Sequence, residues 1–279
     1  MTNRDVLAIL SSAAYNSVHF DRTAGCWKYR DPHDPEAPEL LLRGVSCTLR
    51  ARCWSKYNYH AAERATTIPA ACRVPTGVRS ARQGKNRGSA VHEQLHAIAA
   101  LGFPAAQRMF VAERVHIQPI VTKLLDDFLA RQWRLVCSEL PVFDERPAMR
   151  YGSAIDLVCE HKATGKLMLL ELKTGGDNYR HNWNARMERE LQPYAIMNTP
   201  TNQAKVQLLA YKALFERCYP AQAVNVVSFA VVFVSEASPK PVYELLTDDD
   251  IKLQPYVMAA LAGATADHAA PKRAAKRRK

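Results

Sequence analysis

Residues 152–173 read GSAIDLVCEHKATGKLMLLELK. Aliphatic and β-branched side chains dominate both ends, and the central HKATG is typical of a turn, so the pattern predicts an antiparallel hairpin. If the turn centres on residues 163–164, Asp156 lies opposite Glu171, and directly opposite residues share a face of the sheet. Lys173 falls on the same face because strand side chains alternate with a period of two. The hairpin therefore carries two carboxylates and one ammonium group on otherwise apolar strands.

These charged groups are unusual in core strands, because a buried charge is costly unless it is paired or bound to a metal. One interpretation is a salt bridge at a sheet edge, but a single bridge needs one acid and the hairpin has two. The other is a divalent-metal site. Two hard carboxylates suit Mg²⁺ or Mn²⁺, and Lys173 could orient or activate the attacking water. We favour the metal site.

Three other segments contain candidate functional residues. In QLLAY, Gln207 and Tyr211 are four residues apart, which stacks them on one side of a helix. The segment GSAVH ends at His92, beside an apolar stripe with helical spacing that consists of Val91, Leu95 and Ile98. A histidine there is either a satisfied structural residue or a metal ligand. Glu139 lies on the strand predicted just ahead of the hairpin.

Asp156 followed by Glu171-Leu172-Lys173 resembles the active-site signature of the PD-(D/E)XK nuclease superfamily. Its RecB-like branch is resembled further by Gly88 to His92 (G-x-x-x-H), by Gln207 to Tyr211 (Q-x-x-x-Y) and by Glu139. More loosely, residues 44–64 resemble the segment ahead of the core in the mitochondrial genome maintenance exonuclease family. The resemblance implies an α/β fold in which an αβββαβ core has a mixed central sheet flanked by helices. Pattern reading predicts the same element order.

The resemblance also implies metal-dependent hydrolysis of phosphodiester bonds. The expected enzyme is a DNA exonuclease that acts on free ends or single strands in replication, recombination or repair. One or two Mg²⁺ or Mn²⁺ ions would be bound by His92, Asp156, Glu171 and the Leu172 carbonyl. The expected catalytic set is Lys173, Asp156, Glu171, Gln207 and Tyr211, of which Gln207 and Tyr211 would hold the lysine or the DNA backbone. Glu139 would be an anchor behind the ligands or an outer metal contact. The alternatives are a structure-specific endonuclease and an inactive nuclease fold that binds DNA.

The charge distribution favours a polyanionic partner, since the net charge is +11 and the pI about 9.4. Between Arg43 and Arg87, ten Lys and Arg residues accompany one acid, Glu63. We therefore predict an N-terminal extension (1–87) with a basic, DNA-facing segment, a nuclease core (88–262) and a disordered basic tail (263–279). Residues 73–87 are expected to form a loop. The predicted DNA contacts are Arg82, Lys85, Arg87, Ser89 and Trp183.

Trp183 lies in an insert, residues 174–203, that separates the hairpin from the QLLAY helix. The insert interleaves aromatic and cationic residues, which is the composition of a platform for stacking single-stranded bases. Packing of a local mini-core explains Trp183 equally well.

The tail sequence KRAAKRRK at 272–279 resembles a nuclear import signal, which implies an import receptor, a nuclear location and a eukaryotic or eukaryote-infecting viral source. A basic arm that adds affinity for DNA in a cytoplasmic protein is the alternative. The sequence predicts neither secretion nor a membrane span. Seven cysteines without regular spacing indicate reduced thiols. Of these, Cys47, Cys53 and Cys72 are either zinc ligands or small core residues.

Overall fold

The computed structural model describes residues 8–53, 81–174, 196, 200–235 and 238–267, with backbone alone for 50–51, 81–87, 200 and 264–267. These residues form a mixed α/β fold in which helices flank an eight-stranded mixed sheet. The elements run in the order α1 (Ala13–Asn16), β1 (Val18–Asp21), β2 (Cys26–Tyr29), β3 (Leu40–Gly44), α2 (Val45–Cys53), α3 (Ala81–Leu101), α4 (Phe103–Ala112), α5 (Pro119–Ala130), β4 (Trp133–Asp144), β5 (Tyr151–His161), β6 (Leu167–Lys173), α6 (Pro200–Cys218), α7 (Pro220–Ala223), β7 (Val226–Phe233), β8 (Val242–Leu245), α8 (Asp248–Ile251) and α9 (Gln254–Asp267).

The sheet has the strand order β1-β2-β3-β5-β6-β7-β8, and β4 pairs with β5 beside this path. Strands β4, β5 and β6 are antiparallel neighbours, whereas β7 is parallel to β6. Helices α6 and α7 lie in the connection between β6 and β7, and a parallel pair needs such a long crossover. Within the described residues, α5, β4, β5, β6, α6 and β7 follow one another along the chain, with the short helix α7 between α6 and β7.

The hairpin of β5 and β6 has the predicted register. Leu157 pairs with Leu170, and Glu160 pairs with Leu167. The His161 N–H donates to the Lys166 carbonyl at 2.8 Å and closes the turn. The predicted register is confirmed for these pairs, and, extended one step beyond the last of them, it assigns Asp156 the position opposite Glu171.

The two faces of the central strands belong to two apolar cores. Leu167 and Leu169 of β6 pack into one core together with Leu209 of α6. Their neighbours Met168 and Leu170 pack into the other core, which includes residues of α3 and α5. Helices cover both faces, and for this reason β6 is a nearly continuous apolar run rather than an alternating one.

The predicted N-terminal extension contributes strands β1, β2 and β3 to this sheet. Strand β3 pairs in parallel with β5 through Gly44 and Gly152. A Cβ atom on Gly152 would lie 2.7 Å from Cβ of Trp27, so only glycine lets β2 approach β5 so closely. Helix α2 contributes Val45 and Leu49 to the same core as α6. Strands β1, β2 and β3 form a short meander, and it buries its apolar face by continuing the sheet.

Two predicted domain boundaries fall within helices. Residues 81–87, which were expected in a loop, form the first turns of α3, so the boundary at 87/88 falls inside a helix. The predicted tail begins at residue 263, but α9 continues to Asp267. Residues 268–279 lie outside the described residues. None of the helices in the described ranges combines the length and the apolar character that crossing a membrane requires.

Candidate metal centre

Three carboxylates form one row across β4, β5 and β6. The pairs Ser138–Leu157 and Leu140–Ile155 bracket Glu139, whose register position is therefore opposite Asp156. On the other side of β5, Asp156 is opposite Glu171. Since residues opposite each other share a face, we call Glu139, Asp156 and Glu171 the acid row.

Glu139 has an uncommon backbone conformation. Its φ is 53°, in the left-handed region that non-glycine residues rarely adopt. The regular pairs on both sides of it hold this conformation within β4. Next to it, the Ser138 hydroxyl is hydrogen-bonded at 3.0 Å to Nδ1 of His96 from α3. Strain of this kind is often found at functional sites, where the surrounding structure maintains it.

His92 reaches the acid row from α3. The predicted stripe is confirmed, because Val91, Leu95 and Ile98 are buried against the sheet. The His92 Nδ1 atom lies 2.9 Å from Glu139 Oε1 and 3.8 Å from Asp156 Oδ1. Ligand atoms of these three residues all lie within 4.8 Å of one another, close enough to bind one metal ion. The sequence left the role of Glu139 open; the structure brings it beside His92.

The pKa values of His92 and Asp156 reflect this crowding. Burial by itself lowers the pKa of His92, but the hydrogen bond to Glu139 and the nearby carboxylates raise it to about 9. Burial, and then the charge of Glu171, raise the pKa of Asp156 to about 8. Without a cation the site therefore retains protons at neutral pH, and a bound divalent ion would displace them.

The Asp156 side chain takes the place of a backbone hydrogen bond where β5 and β6 diverge. The last backbone pair is Leu157 with Leu170. Beyond it, Oδ2 of Asp156 accepts the Leu172 N–H at 2.7 Å. This contact fixes the carboxylate and leaves Oδ1 on the side of His92. The expected metal contact of the Leu172 carbonyl stays a prediction.

Glu171 has one oxygen with two donors and one with none. Oε1 accepts from Lys173 Nζ at 2.5 Å and from Gln207 Nε2 at 2.7 Å. Of the buried side-chain nitrogen and oxygen atoms in the described ranges, only Glu171 Oε2 lacks a hydrogen-bond partner. The side chain is almost fully buried. A buried carboxylate oxygen without a donor is costly and suits a cation, so the donor set fits a hard divalent metal.

Glu171 is not a member of the compact group with ligand atoms within 4.8 Å. The group consists of His92, Asp156 and Glu139, whereas the sequence prediction had Glu171 as the third side chain. Hydrogen bonds from Lys173 and Gln207 hold the Glu171 carboxylate in a different position.

Gln207 and Tyr211 contact each other as their spacing predicted. The Gln207 amide donates to the Tyr211 hydroxyl at 2.6 Å and also to Glu171, whereas the sequence had predicted the lysine or the DNA backbone as its partner. Tyr211 is 2% exposed, so its hydroxyl is far from solvent. Burial, and then the charge of Glu171, raise the pKa of Tyr211 well above its ordinary value. Gln207 therefore contacts the acid row through Glu171, and Tyr211 contacts it through Gln207.

Sequence reasoning missed two further hydroxyls at Tyr211. Ser153 of β5 donates to the Tyr211 hydroxyl at 2.7 Å, and Ser46 Oγ of α2 lies 3.1 Å from it. Ser153 offered a weak signal as a lone hydroxyl in an apolar strand. Ser46 lies in the segment 44–64 that the resemblance pointed to, but nothing indicated its partner, which is 165 residues away.

The predicted DNA contacts are placed only in part. Ser89 is exposed on α3, three residues and therefore about one turn before His92. The positions of Arg82, Lys85 and Arg87 belong to the first turns of α3, but their side chains lie outside the described set. Trp183 and nearly all of the predicted insert also lie outside the described residues.

The three cysteines that were considered as zinc ligands or core residues differ in burial. Cys53 is buried in the core, as one interpretation predicted, whereas Cys47 is exposed and therefore not a core residue. Cys72 lies outside the described residues. Within the described ranges, the group that could bind a metal contains no cysteine.

Comparisons with known proteins give no family. No family model matches the chain, and no curated protein matches it. A solved structure titled "Crystal structure of SSO0001" aligns with a TM-score of 0.26 and 12% identity over 66% of this chain and 77% of that chain. A likeness at this TM-score carries no conclusion about function.

Proposed function

We propose that this chain is a metal-dependent DNA exonuclease of the PD-(D/E)XK type, with β4, β5, β6, α6 and β7 as part of its core. The observation that carries the proposal is the acid row, which His92 contacts and in which Glu171 Oε2 has no hydrogen-bond partner among the described residues. Nuclease chemistry needs carboxylates clustered in this way, because they bind the divalent ion that phosphodiester cleavage uses.

The donor set assigns the metal ligands. Asp156 Oδ1, the His92 ring and Glu139 Oε1 would hold Mg²⁺ or Mn²⁺, and Glu171 Oε2 would face the same ion or a second one. When bound, the ion would neutralise phosphate charge and stabilise the leaving oxygen.

Side chains of the protein would orient the water, the metal ligand and the substrate. Lys173 is about one-fifth exposed, so its ammonium group can reach both Glu171 and a solvent molecule. It would orient the attacking water and hold it against the phosphorus. Gln207 would keep the Glu171 carboxylate in one orientation. Ser89, exposed one turn before His92, would contact a phosphate of the strand.

Substrate class rests on charge and on the motif resemblance. The net charge of +11 and the basic segment from Arg43 to Arg87 favour a nucleic acid. The histidine, glutamine and tyrosine elements resemble exonucleases that act from ends in replication, recombination or repair. The import-like tail fits a nuclear site of action.

The test is one digestion panel with purified full-length chain and Mg²⁺. The substrates are single- and double-stranded DNA, each linear with a 5′ or 3′ label and each circular, together with single-stranded RNA. We expect stepwise release from linear DNA, intact circles, and no cleavage after chelation. Cleaved circles would favour the endonuclease alternative, and binding without cleavage would favour the inactive one.

Lys173→Ala should abolish cleavage and preserve DNA binding. The matched control is Lys166→Ala, a lysine of the same hairpin at its opposite, turn end. Full activity in folded Lys173→Ala, or equal losses in both variants, would show that the hairpin is not the active centre. His92→Ala should weaken cleavage, with partial rescue by Mn²⁺.

A further inference from the structure

The Tyr211 hydroxyl lies at the centre of a buried hydrogen-bond cluster. It contacts Ser46 Oγ at 3.1 Å, Ser153 Oγ at 2.7 Å and Gln207 Nε2 at 2.6 Å. The partners come from α2, β5 and α6, three elements that are far apart in the sequence. We call these four residues the Tyr211 relay.

The donors and acceptors of the relay can be assigned by elimination. The Gln207 amide nitrogen only donates, and Ser153 donates as well. The phenolic oxygen thus accepts two hydrogen bonds, and its own proton points to the remaining partner, Ser46 Oγ. Each group at Tyr211 then has one role, so loss of one hydroxyl leaves a buried group unsatisfied.

The relay ends on the acid row. The same Gln207 nitrogen that contacts Tyr211 donates its second hydrogen to Glu171 Oε1 at 2.7 Å. Together with Lys173 it saturates that oxygen, and none of the described residues donates to Oε2. An amide that donates to two fixed acceptors cannot rotate freely, so the position of the Tyr211 hydroxyl sets the orientation of the Glu171 carboxylate.

We propose that Ser46 is a positioning residue for the metal centre, acting through Tyr211 and Gln207 to aim Glu171 Oε2. This inference rests on the proposed function. It gives the N-terminal segment an indirect part in the site, because Ser46 belongs to α2, which follows strands β1, β2 and β3. Ser46 touches no ligand atom of the acid row itself.

The experiment is a Mn²⁺ titration of full-length variants, with bound ion counted by electron paramagnetic resonance and DNA cleavage measured in parallel. Ser46→Ala should weaken Mn²⁺ binding about five- to tenfold, the effect of losing about one hydrogen bond. Ser46→Thr should retain wild-type affinity because it keeps the hydroxyl. Thr48→Val is the matched control, since the Thr48 hydroxyl on the same helix donates to the Gly44 carbonyl.

A double-mutant cycle separates positioning from general loosening. Tyr211→Phe keeps the ring and removes the hydroxyl, and we expect it to weaken Mn²⁺ binding more than Ser46→Ala does. If Ser46 acts through Tyr211, the double variant binds Mn²⁺ as weakly as Tyr211→Phe alone. Additive losses, or equal losses in Ser46→Ala and Thr48→Val, would overturn the proposal.

The same data distinguish this proposal from the proposed function. If the wild type binds Mn²⁺ but cleaves no DNA, the nuclease function fails and the cycle still decides the role of Ser46. If it cleaves DNA and the cycle is additive, the positioning role alone fails. If the wild type binds no Mn²⁺, both fail.

Discussion

The acid row and the ion pairs at the ends of β5 use the same kind of residue for different purposes. The fully buried Asp144, at the end of β4, accepts from Arg146 at 2.9 Å and lies 3.6 Å from Arg217. At the opposite end of β5, buried Glu160 lies 2.6 Å from Arg134. Each of these acids has an arginine that neutralises it.

The acid row has no such balance. Among the described residues, its three carboxylates share one lysine and one histidine. Burial, and then the charge of Glu171, raise the pKa of Asp156 to about 8. Glu171 Oε2 has no hydrogen-bond donor in the part of the chain that the structure describes. Burial of an acid therefore does not distinguish the two sets. Among the described residues, the acid row differs because its carboxylates outnumber the cationic side chains beside them and one buried oxygen lacks a donor.

The largest expected effect is on catalysis. Asp156→Asn keeps the shape of the side chain and removes the charge that would hold the ion, so cleavage should fall by more than about 10³-fold. Circular dichroism and thermal melting should show a folded protein. Cleavage within tenfold of wild type would show that the acid row is no more important for cleavage than the acids paired with arginines.

Asp144→Asn should have the reverse profile. Removing a buried charge leaves Arg146 and Arg217 without their shared partner, and we expect the free energy of unfolding to fall by about 2 kcal/mol. The value is below that for a fully buried pair because both arginines are partly exposed. Urea unfolding measures this change in the free energy of unfolding. Cleavage by the folded fraction should be unchanged, and a loss comparable with that of Asp156→Asn would contradict the comparison.

Stabilisation by Mn²⁺ should depend on pH. The folded-state pKa of Asp156 is raised to about 8 and that of His92 to about 9, so the metal-free chain gives up stability as pH rises through these values. Binding needs ionised Asp156 and neutral His92, so Mn²⁺ affinity should rise with pH, by up to about tenfold per unit for each proton displaced.

The measurement is the melting temperature with and without Mn²⁺ at pH 6 and pH 8. The increment should be larger at pH 8 in the wild type and in Asp144→Asn, and absent in Asp156→Asn. An equal increment at both pH values would mean that the ion binds elsewhere.

Glu160→Gln should have the smallest effect. Arg134 is almost half exposed and can return to water when its partner loses charge. We expect the free energy of unfolding to fall by about 1 kcal/mol, with Mn²⁺ binding and cleavage unchanged. Urea unfolding and the Mn²⁺ titration check this. A change in Mn²⁺ affinity would show that the ion pairs and the acid row are coupled.

The sequence by itself determined the local geometry of the site. Turn position and the period of two gave the register that places Asp156 opposite Glu171, because backbone geometry alone sets both. Helical spacing likewise brought Gln207 beside Tyr211 and His92 beside its apolar stripe. These relations involve residues within one element or one hairpin, where few conformations are available.

Only the tertiary structure decided which side chains meet across the fold. The left-handed backbone of Glu139, the contact of Ser46 with Tyr211 and the entry of β3 into the sheet depend on how distant elements pack, and no local pattern encodes them. For the same reason the sequence placed Glu171 rather than Glu139 beside His92. Periodicity assigns a side chain to a face, whereas hydrogen bonds from Lys173 and Gln207 fix where its carboxylate lies.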